Sequence, residues 1–222
     1  MKCLIGATIF IFASWIPALA QINNDLQRCI DEGKKNNFAL VDRYCRTVLK
    51  SDNLTDVDRS IIFYVLGKTS FDRGQYDQSI MHLTQVIQLN KKSSIAYNAR
   101  GNAYARKTQF NRAIADNTEA IRLDPRMSAA YASRGYAYYA GKGDFARAIQ
   151  DYNQAIKLDP QDSDTYYNRG VAYASVKDYD HAIADFDEAI RLNPADKEAR
   201  QRRDAACADK KSEQAKGKAR RK

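Results

Sequence analysis

Few residues of this chain have the types and spacing that catalytic or metal chemistry requires. Its two histidines, His82 and His181, lie far apart, and neither has a cysteine or carboxylate cluster at metal-ligand spacing. The Gly141-Lys142-Gly143 tripeptide lacks the long glycine-rich run, between a strand and a helix, that holds phosphates. No combination of serine, cysteine and histidine indicates a nucleophile. The sequence therefore predicts a protein that is not an enzyme and that has no metal site and no cofactor.

Arginine and aspartate recur together at regular spacing. An arginine stands directly before a glycine, and an aspartate follows it further along the chain at nearly constant spacing: Arg100 and Asp116, Arg134 and Asp151, Arg169 and Asp185. Leu66 and His82 occupy the same two places earlier in the chain. Because both positions change together, we expect an ion pair that links two helices, within one repeat or between neighbours. Two unrelated, solvated charges are the alternative.

The charged residues belong to a longer repeat, which is clearest in residues 94–126. Four glycines recur at steps of 34, 34 and 35, a period typical of helical repeat proteins. Aromatic residues stand before and after each glycine, and small residues and prolines follow. The repeated positions hold Gly67, Gly101, Gly135 and Gly170; Phe63, Tyr97, Tyr131 and Tyr166; Tyr76, Phe110, Phe145 and Tyr179; Ser79, Ala113, Ala148 and Ala182; and Pro125, Pro160 and Pro194.

Each repeat has the pattern of two helices joined by a short turn. Tyr97, Gly101 and Tyr104 share one face of a helix, and Ala113, Asn117 and the residues after them share one face of the next. The order aromatic, glycine, tyrosine, aromatic, alanine and proline resembles the tetratricopeptide repeat. This resemblance implies an all-α fold, a right-handed helical-repeat solenoid of stacked antiparallel helix pairs, with at least ten helices and no strands. It also implies that the chain binds other proteins.

The repeat divides the chain into segments. We predict a signal peptide at 1–20, a degenerate first repeat at 21–59, four repeats at 60–93, 94–127, 128–162 and 163–196, a capping helix at 197–214 and a basic disordered tail at 215–222. Thr55 is expected to open a helix with a capping hydroxyl. The extra residue of the third repeat is assigned to its turn, Ala140 to Asp144. The formal charge of the chain is +9, and residues 196–222 carry 11 basic against 5 acidic residues, hence +6.

Residues 1–20 have the features of a cleaved secretory signal. Lys2 precedes an apolar run from Cys3 to Ile16, and Ala18-Leu19-Ala20 stands before Gln21. The apolar run is shorter than the roughly 20 residues of a membrane-spanning helix, so an uncleaved anchor is the weaker alternative. We therefore expect a periplasmic or secreted protein that starts at Gln21, with no transmembrane segment after cleavage.

The resemblance also implies a binding surface, because in this family the first helices of the repeats line a groove that holds a peptide or protein segment. Tyrosines with a few amides and cations suit a peptide backbone; packing of these tyrosines on neighbouring helices is the alternative. The family's clamp for chaperone tails is not met, since Ala99 stands where it needs an asparagine. The predicted surface comprises Tyr64, Lys68, Phe71 and Asp72; Asn98, Asn102 and Arg106; Tyr136 and Tyr139; and Tyr167, Val171 and Ser175.

Three cysteines remain once the signal is removed. In the phase of the degenerate repeat that most positions support, Cys29 takes the small-residue site of the first helix and Cys45 faces it from the second. An oxidising compartment would close this pair into a disulfide. Gly33, which lies one repeat period before Gly67, offers a rival phase. Cys207 aligns with Tyr104, so we expect a buried free thiol; an intermolecular disulfide is the alternative.

Two functions follow from these features. The first is a non-catalytic protein-interaction scaffold of the cell envelope, which binds a peptide or protein of unknown identity in the groove. The second is a surface-binding protein whose basic C-terminal tail attaches to anionic lipid or cell wall. Export argues against nucleic acid as the partner.

Overall fold

The computed structural model describes residues 23–35 and 37–219, and the predicted signal peptide and the last three residues lie outside this range. Within it the chain is all-α, with eleven helices and no strand. They are α1 (residues 23–34), α2 (Phe38–Leu49), α3 (Asp56–Asp72), α4 (Tyr76–Leu89), α5 (Ser94–Arg106), α6 (Phe110–Leu123), α7 (Ser128–Lys142), α8 (Phe145–Leu158), α9 (Ser163–Ser175), α10 (Tyr179–Leu192) and α11 (Lys197–Ala219).

The chain forms two compact units, residues 1–99 and residues 100–222, and the boundary falls within α5. In each unit consecutive helices pack as pairs, as predicted. The second helices α4, α6, α8 and α10 each have 14 residues, begin at the later aromatic of the repeat and end at a leucine. The predicted fold class, built from stacked helix pairs, is confirmed.

The core of residues 100–222 consists of small residues opposite larger ones. Ala148 and Ala182 are fully buried, and Phe186 fills the space beneath the glycine of its repeat. A Cβ atom added to Gly170 would lie 2.9 Å from Cε1 of Phe186. A larger residue at this position would therefore separate α9 from α10, which explains the glycine that marks every repeat.

The core of residues 1–99 is built around a disulfide. Cys29 of α1 and Cys45 of α2 are fully buried and bonded to each other, with their Cα atoms 5.1 Å apart. Val41, Val48 and Ile62 pack in the same cluster. The structure therefore has the predicted pairing and the predicted phase, whereas Gly33 lies beside the side chain of Val65.

Helix α3 begins with a capping box. The hydroxyl of Thr55 accepts a hydrogen bond from the backbone N–H of Asp58, and the Asp58 carboxylate accepts one from the backbone N–H of Thr55. This arrangement satisfies two backbone donors that the first turn of a helix would otherwise leave unpaired. The structure therefore has the predicted cap at Thr55, and α3 starts four residues before the predicted repeat boundary at residue 60.

The turn of the third repeat differs from the prediction. Helix α7 continues to Lys142 and absorbs the extra residue, so only Gly143 and Asp144 connect it to α8. Gly141 is helical and lies so close to Phe110 of α6 that an added Cβ would overlap the Phe110 side chain. Gly143 has a positive φ of 58° and ends the helix. The two glycines therefore have different roles.

The C-terminal segment also differs from the prediction. Helix α11 does not end at residue 214 but continues to Ala219, so residues 215–219 are helical rather than disordered. Alanine, lysine, glutamate and glutamine are strong helix formers, and Lys216 pairs with Glu213 one turn before it. The packed part of this helix is its beginning, where Ala199 and Ala206 are buried.

Cys207 is the free cysteine among the described residues, but it is half-buried rather than buried. Its predicted alignment with Tyr104 is consistent with this, because Tyr104 is also half-buried. The position lies at the edge of the packed face, and the neighbouring Ala206 is the residue that enters the core. The burial of the thiol was therefore overestimated.

Candidate functional site

Three tyrosines on α7 and α9 form the most prominent part of the predicted surface in residues 100–222. We call Tyr136, Tyr139 and Tyr167 the tyrosine face. Tyr136 is 42 % exposed, and the other two are half-buried. The hydroxyl oxygens of Ser175 and Tyr139 lie 3.5 Å apart, so α7 and α9 meet at this surface.

Packing fixes two of the three tyrosines. The ring of Tyr139 lies 5.6 Å from that of Phe145. The hydroxyl of Tyr167 donates to a carboxylate oxygen of Glu198 over 2.6 Å. Burial and, after it, the hydrogen bond to Glu198 raise the pKa of Tyr167 to about 12. Tyr136 has the largest exposed surface of the three and is the best placed to contact a partner.

The other predicted residues of this unit are chemically mixed and differ in exposure. Asn102 and Val171 are half-buried, whereas Arg106 and Ser175 are exposed. Because no charged side chain belongs to the tyrosine face itself, the surface offers aromatic rings and hydroxyl groups at its centre. Such groups suit apolar side chains and the polar atoms of a peptide backbone.

A fourth tyrosine lies beneath this surface. Tyr152 of α8 is fully buried and packs with Ala148, Ala172 and Tyr139. Its hydroxyl has no hydrogen-bond partner in the described part of the chain. Leaving such a group unpaired costs about 1–3 kcal/mol. The sequence gave no sign of this unpaired hydroxyl, because pairing depends on the residues that surround the ring tip.

The predicted residues of the unit 1–99 lie mostly on α3. Lys68 and Asp72 form an exposed ion pair of 3.0 Å, and Tyr64 is half-buried beside the cluster of Val86, Ile87 and Ala96. Burial raises the pKa of Tyr64, and the charge of Lys68 opposes this.

The two remaining predicted residues of this unit are partly used for packing. The ring of Phe71 contacts that of Tyr76 at 5.4 Å. Asn98 is only 7 % exposed and offers little surface to a partner.

Exposed apolar residues extend this face and were missed by the sequence analysis. Val57 is 68 % exposed and Ile61 38 %, and both continue the stripe of Tyr64 and Lys68 along α3. Ile95 of α5 is also exposed. The spacing of four residues between Val57 and Ile61 and three between Ile61 and Tyr64 could have indicated them.

The three predicted ion pairs are present, and each lies within one repeat. In all three the arginine fork binds both carboxylate oxygens of the aspartate, at distances of 2.7–2.9 Å. The side chains are largely buried, with Arg134 19 % and Asp151 8 % exposed. Burial lowers the pKa of Arg169, but the hydrogen bond and charge of Asp185 exceed it and leave the pKa raised.

The arginines also contact the preceding repeat. Arg134 Nη1 donates to the Thr118 hydroxyl over 3.2 Å, and Arg169 Nη1 donates to the Asn153 side-chain oxygen over 2.7 Å. Each of these acceptors follows its own repeat's aspartate by two residues. The ion pair therefore lies within one repeat, and the arginines of the last two pairs add hydrogen bonds to neutral side chains of the preceding repeat.

Both histidines pack against aromatic rings. His82 stacks on the ring of Phe63, and His181 stacks on Tyr173 and contacts Asp178, which caps α10. No group of three or more histidine, cysteine or acidic side chains in the described residues could hold a metal ion. Among the same residues, no helix combines the length and the apolar character that crossing a bilayer requires.

The repeating helix pairs, the glycine at each close approach and the ladder of ion pairs define an α-helical repeat protein of the kind that binds other proteins. The sequence matches family models described as TPR repeat, at residues 67–108 and 139–177, and as tetratricopeptide repeat, at residues 95–127 and 163–196. The chain belongs to the tetratricopeptide repeat family. No curated protein sequence matches it.

Solved structures with the same fold agree with this assignment. MamA is 26 % identical to this chain, with a TM-score of 0.62, over 74 % of this chain and 93 % of its own. The TPR domain of Arabidopsis OM64 is 31 % identical, with a TM-score of 0.51, over 52 % of this chain and 95 % of its own. TTC0263, a thermophilic TPR protein of Thermus thermophilus, has a TM-score of 0.67 over 84 % and 99 %, but at 18 % identity it shows the fold alone. Membership of the tetratricopeptide repeat family supports a protein–protein interaction scaffold.

Proposed function

We propose that this chain is a non-catalytic scaffold of the cell envelope that binds a peptide or protein segment through the tyrosine face. The observation that carries this proposal is the exposure of Tyr136 beside Tyr139 and Tyr167. Large aromatic side chains that stay accessible on a folded surface are frequent anchors of protein interfaces, since they bury much area at a low entropy cost. The membership of the TPR family supports the same conclusion.

The segment that fits this surface is neutral at its centre. Rings and hydroxyl groups would contact apolar side chains and backbone amides, and the carboxylate of Glu198 borders the face through its hydrogen bond from Tyr167. Residues Val57, Ile61 and Ile95 give the unit 1–99 a second exposed apolar surface. Each unit therefore has its own candidate contact area.

Two features support a location in the envelope. Residues 1–20 have the pattern of a cleaved signal, and Cys29 and Cys45 are placed for a disulfide, which persists in oxidising compartments. We therefore place the mature chain, from Gln21 onward, in the periplasm or outside the cell.

A peptide selected from a random display library on the mature chain tests the binding surface. We expect Tyr136→Ala to weaken binding of that peptide by more than about 1 kcal/mol, because a central aromatic anchor is lost. Tyr139→Ala should have a similar effect. The measurement is isothermal titration calorimetry, corrected for the folded fraction of each variant.

The matched control is Met81→Ala, which removes a large side chain that is 54 % exposed but lies on the second helix α4. It should leave the affinity unchanged. If the tyrosine variants lower the melting temperature and bind the peptide as tightly per folded molecule as the parent chain, these residues belong to the core and the proposal fails.

The basic C-terminal segment offers a second candidate function. Residues 211–216 of α11 are all exposed and include Lys211 and Lys216, whereas Lys210 is paired with Asp180 of α10. An exposed cationic helix end suits an anionic lipid or cell-wall polymer. Deletion of residues 211–222 should then abolish sedimentation with vesicles that contain phosphatidylglycerol and leave the peptide affinity unchanged. Equal sedimentation of both chains would exclude this function.

A further inference from the structure

Tyr152 has a feature that its role in packing does not explain. Phe186 takes the equivalent position in the next repeat and is also buried, so a phenylalanine ring fills this site without any polar atom. The hydroxyl of Tyr152 is buried and unpaired among the described residues. Burying such a donor is unfavourable, and a phenylalanine would avoid the penalty. The hydroxyl therefore lowers the stability of the free chain.

The ring of Tyr152 packs against α7, the helix that carries Tyr136 and Tyr139. Its Cε1 atom would be 2.9 Å from a Cβ atom on Gly135, the residue that precedes Tyr136. Tyr139 packs against the same cluster. In the next repeat the Phe186 ring contacts the ring of Tyr167 at 5.9 Å, which again joins this position to the tyrosine face.

The neighbouring groups agree with this placement. Burial raises the pKa of Tyr152, and the hydroxyls of Tyr136 and Tyr139 and the carboxylate of Asp151 raise it further. These three groups are therefore close enough to act on the Tyr152 hydroxyl. None of them is a cation, and the hydroxyl stays protonated and able to donate.

We propose that the Tyr152 hydroxyl is a hydrogen-bond donor held in reserve for the bound segment, and that it selects a neutral carbonyl oxygen at the centre of the tyrosine face. This inference rests on the proposed function. Because the hydroxyl is buried in the free chain, the bound segment reaches it only after a neighbouring side chain moves, and Tyr136, at 42 % exposure, is the most exposed residue of the tyrosine face. The donor then gains the partner that it lacks in the free chain.

The surroundings decide between a carbonyl and a carboxylate oxygen. The carboxylate of Asp151 is already paired with Arg134, so no unpaired cation is offered beside it. A carboxylate brought to the buried hydroxyl would lose its hydration without gaining a counter-charge, which is costly. A neutral amide carbonyl, from the backbone or from asparagine or glutamine, has no such penalty. The site therefore binds a backbone or side-chain amide in preference to an acidic group at this position.

The test is Tyr152→Phe, measured with the library-selected peptide of the proposed function. We expect about tenfold weaker binding, because the peptide carbonyl is left without a donor, while the melting temperature stays the same or rises. The matched control is Tyr131→Phe, which removes a phenolic hydroxyl of the same helix pair away from the tyrosine face. It should leave the affinity unchanged.

Three outcomes overturn the inference. If Tyr136→Ala weakens binding but Tyr152→Phe does not, the tyrosine face binds without this donor and only the proposed function stands. If neither variant weakens binding, the proposed function fails as well. If Tyr152→Phe lowers the melting temperature and leaves the affinity per folded molecule unchanged, the hydroxyl is structural.

A second measurement observes the hydroxyl itself. With tyrosine labelled at Cζ by carbon-13, the Tyr152 resonance, assigned by its loss in Tyr152→Phe, should shift when the peptide is added, since a new hydrogen bond changes the shielding of the attached carbon. An unshifted Tyr152 resonance under saturating peptide would contradict the proposal.

Discussion

At the scale of single residues, the arginine ladder shows how one side chain serves two repeats. Arg134 binds both oxygens of Asp151 through Nε and Nη2, and its Nη1 reaches Thr118 in the preceding repeat. A bidentate, partly buried pair gives geometric precision, whereas its net contribution to stability is small. Removing one partner lowers stability much more, since the other charge then stays buried without a partner.

We therefore predict that Asp151→Ala lowers the free energy of unfolding by about 3–5 kcal/mol. The variant Arg134→Leu with Asp151→His copies the pair of Leu66 and His82 found in residues 60–93 and should be less destabilised than Asp151→Ala. Urea unfolding followed by circular dichroism measures both. A loss below about 1 kcal/mol for Asp151→Ala would mean that the pair is effectively solvated.

His82 provides a prediction about pH. Burial lowers its pKa, the charge of Arg46 lowers it further, and Asp42 opposes both. The unfolded chain, with an ordinary histidine pKa near 6.5, therefore binds this proton more readily than the folded chain does. The stability that this group contributes is present above about pH 6.5 and is lost as the pH falls through the folded-state pKa.

We expect the chain to become less stable between about pH 7 and pH 5 and His82→Gln to reduce this loss. The matched control His181→Gln keeps His82 and should keep the loss. Urea midpoints at several pH values, with ionic strength held constant, provide the comparison. Identical pH profiles for the parent chain and His82→Gln would contradict the assignment.

At the scale of elements, the disulfide joins the two helices at the beginning of the described chain. Cys29 and Cys45 are separated by 16 residues. In the chain-entropy model, closing a loop of this length stabilises the folded state by about 3 kcal/mol. Helices α1 and α2 benefit directly, because both have a cysteine in the core cluster with Val41 and Val48.

We predict that Cys29→Ser with Cys45→Ser lowers the free energy of unfolding by about 3 kcal/mol. Amide hydrogen exchange should show the first loss of protection in α1 and α2. Cys207→Ser, which removes the half-buried free thiol, is the control and should leave protection in α1 and α2 as it is. Uniform loss of protection along the chain in the double variant would contradict a local effect.

Sequence reasoning predicted the helices best where the repeat is strong. The positions of α4 to α10 follow from the spacing of aromatic, glycine and alanine residues, because close helix packing restricts these positions to a few residue types. The extension of α11 beyond residue 214 was missed, since this segment has no repeat pattern and its helicity comes from propensity alone. The extra residue near Gly141 was wrongly assigned to the turn. The sequence alone does not distinguish a glycine that a turn requires from a glycine that a close helix contact requires.

The candidate site was less predictable than the fold. The family resemblance assigned Tyr136 and Asn98 to the same binding surface, but Tyr136 is exposed and Asn98 is buried. Burial of a side chain at a helix face depends on the residues of the neighbouring helices, which no single repeat specifies. The unpaired hydroxyl of Tyr152 was unpredictable for the same reason, since it depends on whether the neighbouring helices bring an acceptor to that oxygen.

At the scale of the whole molecule, net charge and cysteine chemistry are unevenly distributed along the chain. Residues 196–222 account for +6 of the net charge of +9, which leaves +3 for the remainder. The buried disulfide lies in the unit 1–99 and the free thiol in the unit 100–222. One labelling experiment on the intact protein can therefore examine export, cleavage and pairing together.

We predict that the chain, expressed with its own residues 1–20 in a bacterium and purified from the periplasm, has the mass of residues 21–222. Alkylation of the denatured, unreduced protein should label one thiol, Cys207, and reduction should expose two more. Removal of the signal retains the chain in the reducing cytoplasm, where all three mature cysteines should be labelled without reductant. Retention of residues 1–20 on the periplasmic protein would contradict cleavage, and three labelled thiols in it would contradict the disulfide. No labelled thiol, together with a dimer on a non-reducing gel, would show that Cys207 joins two chains.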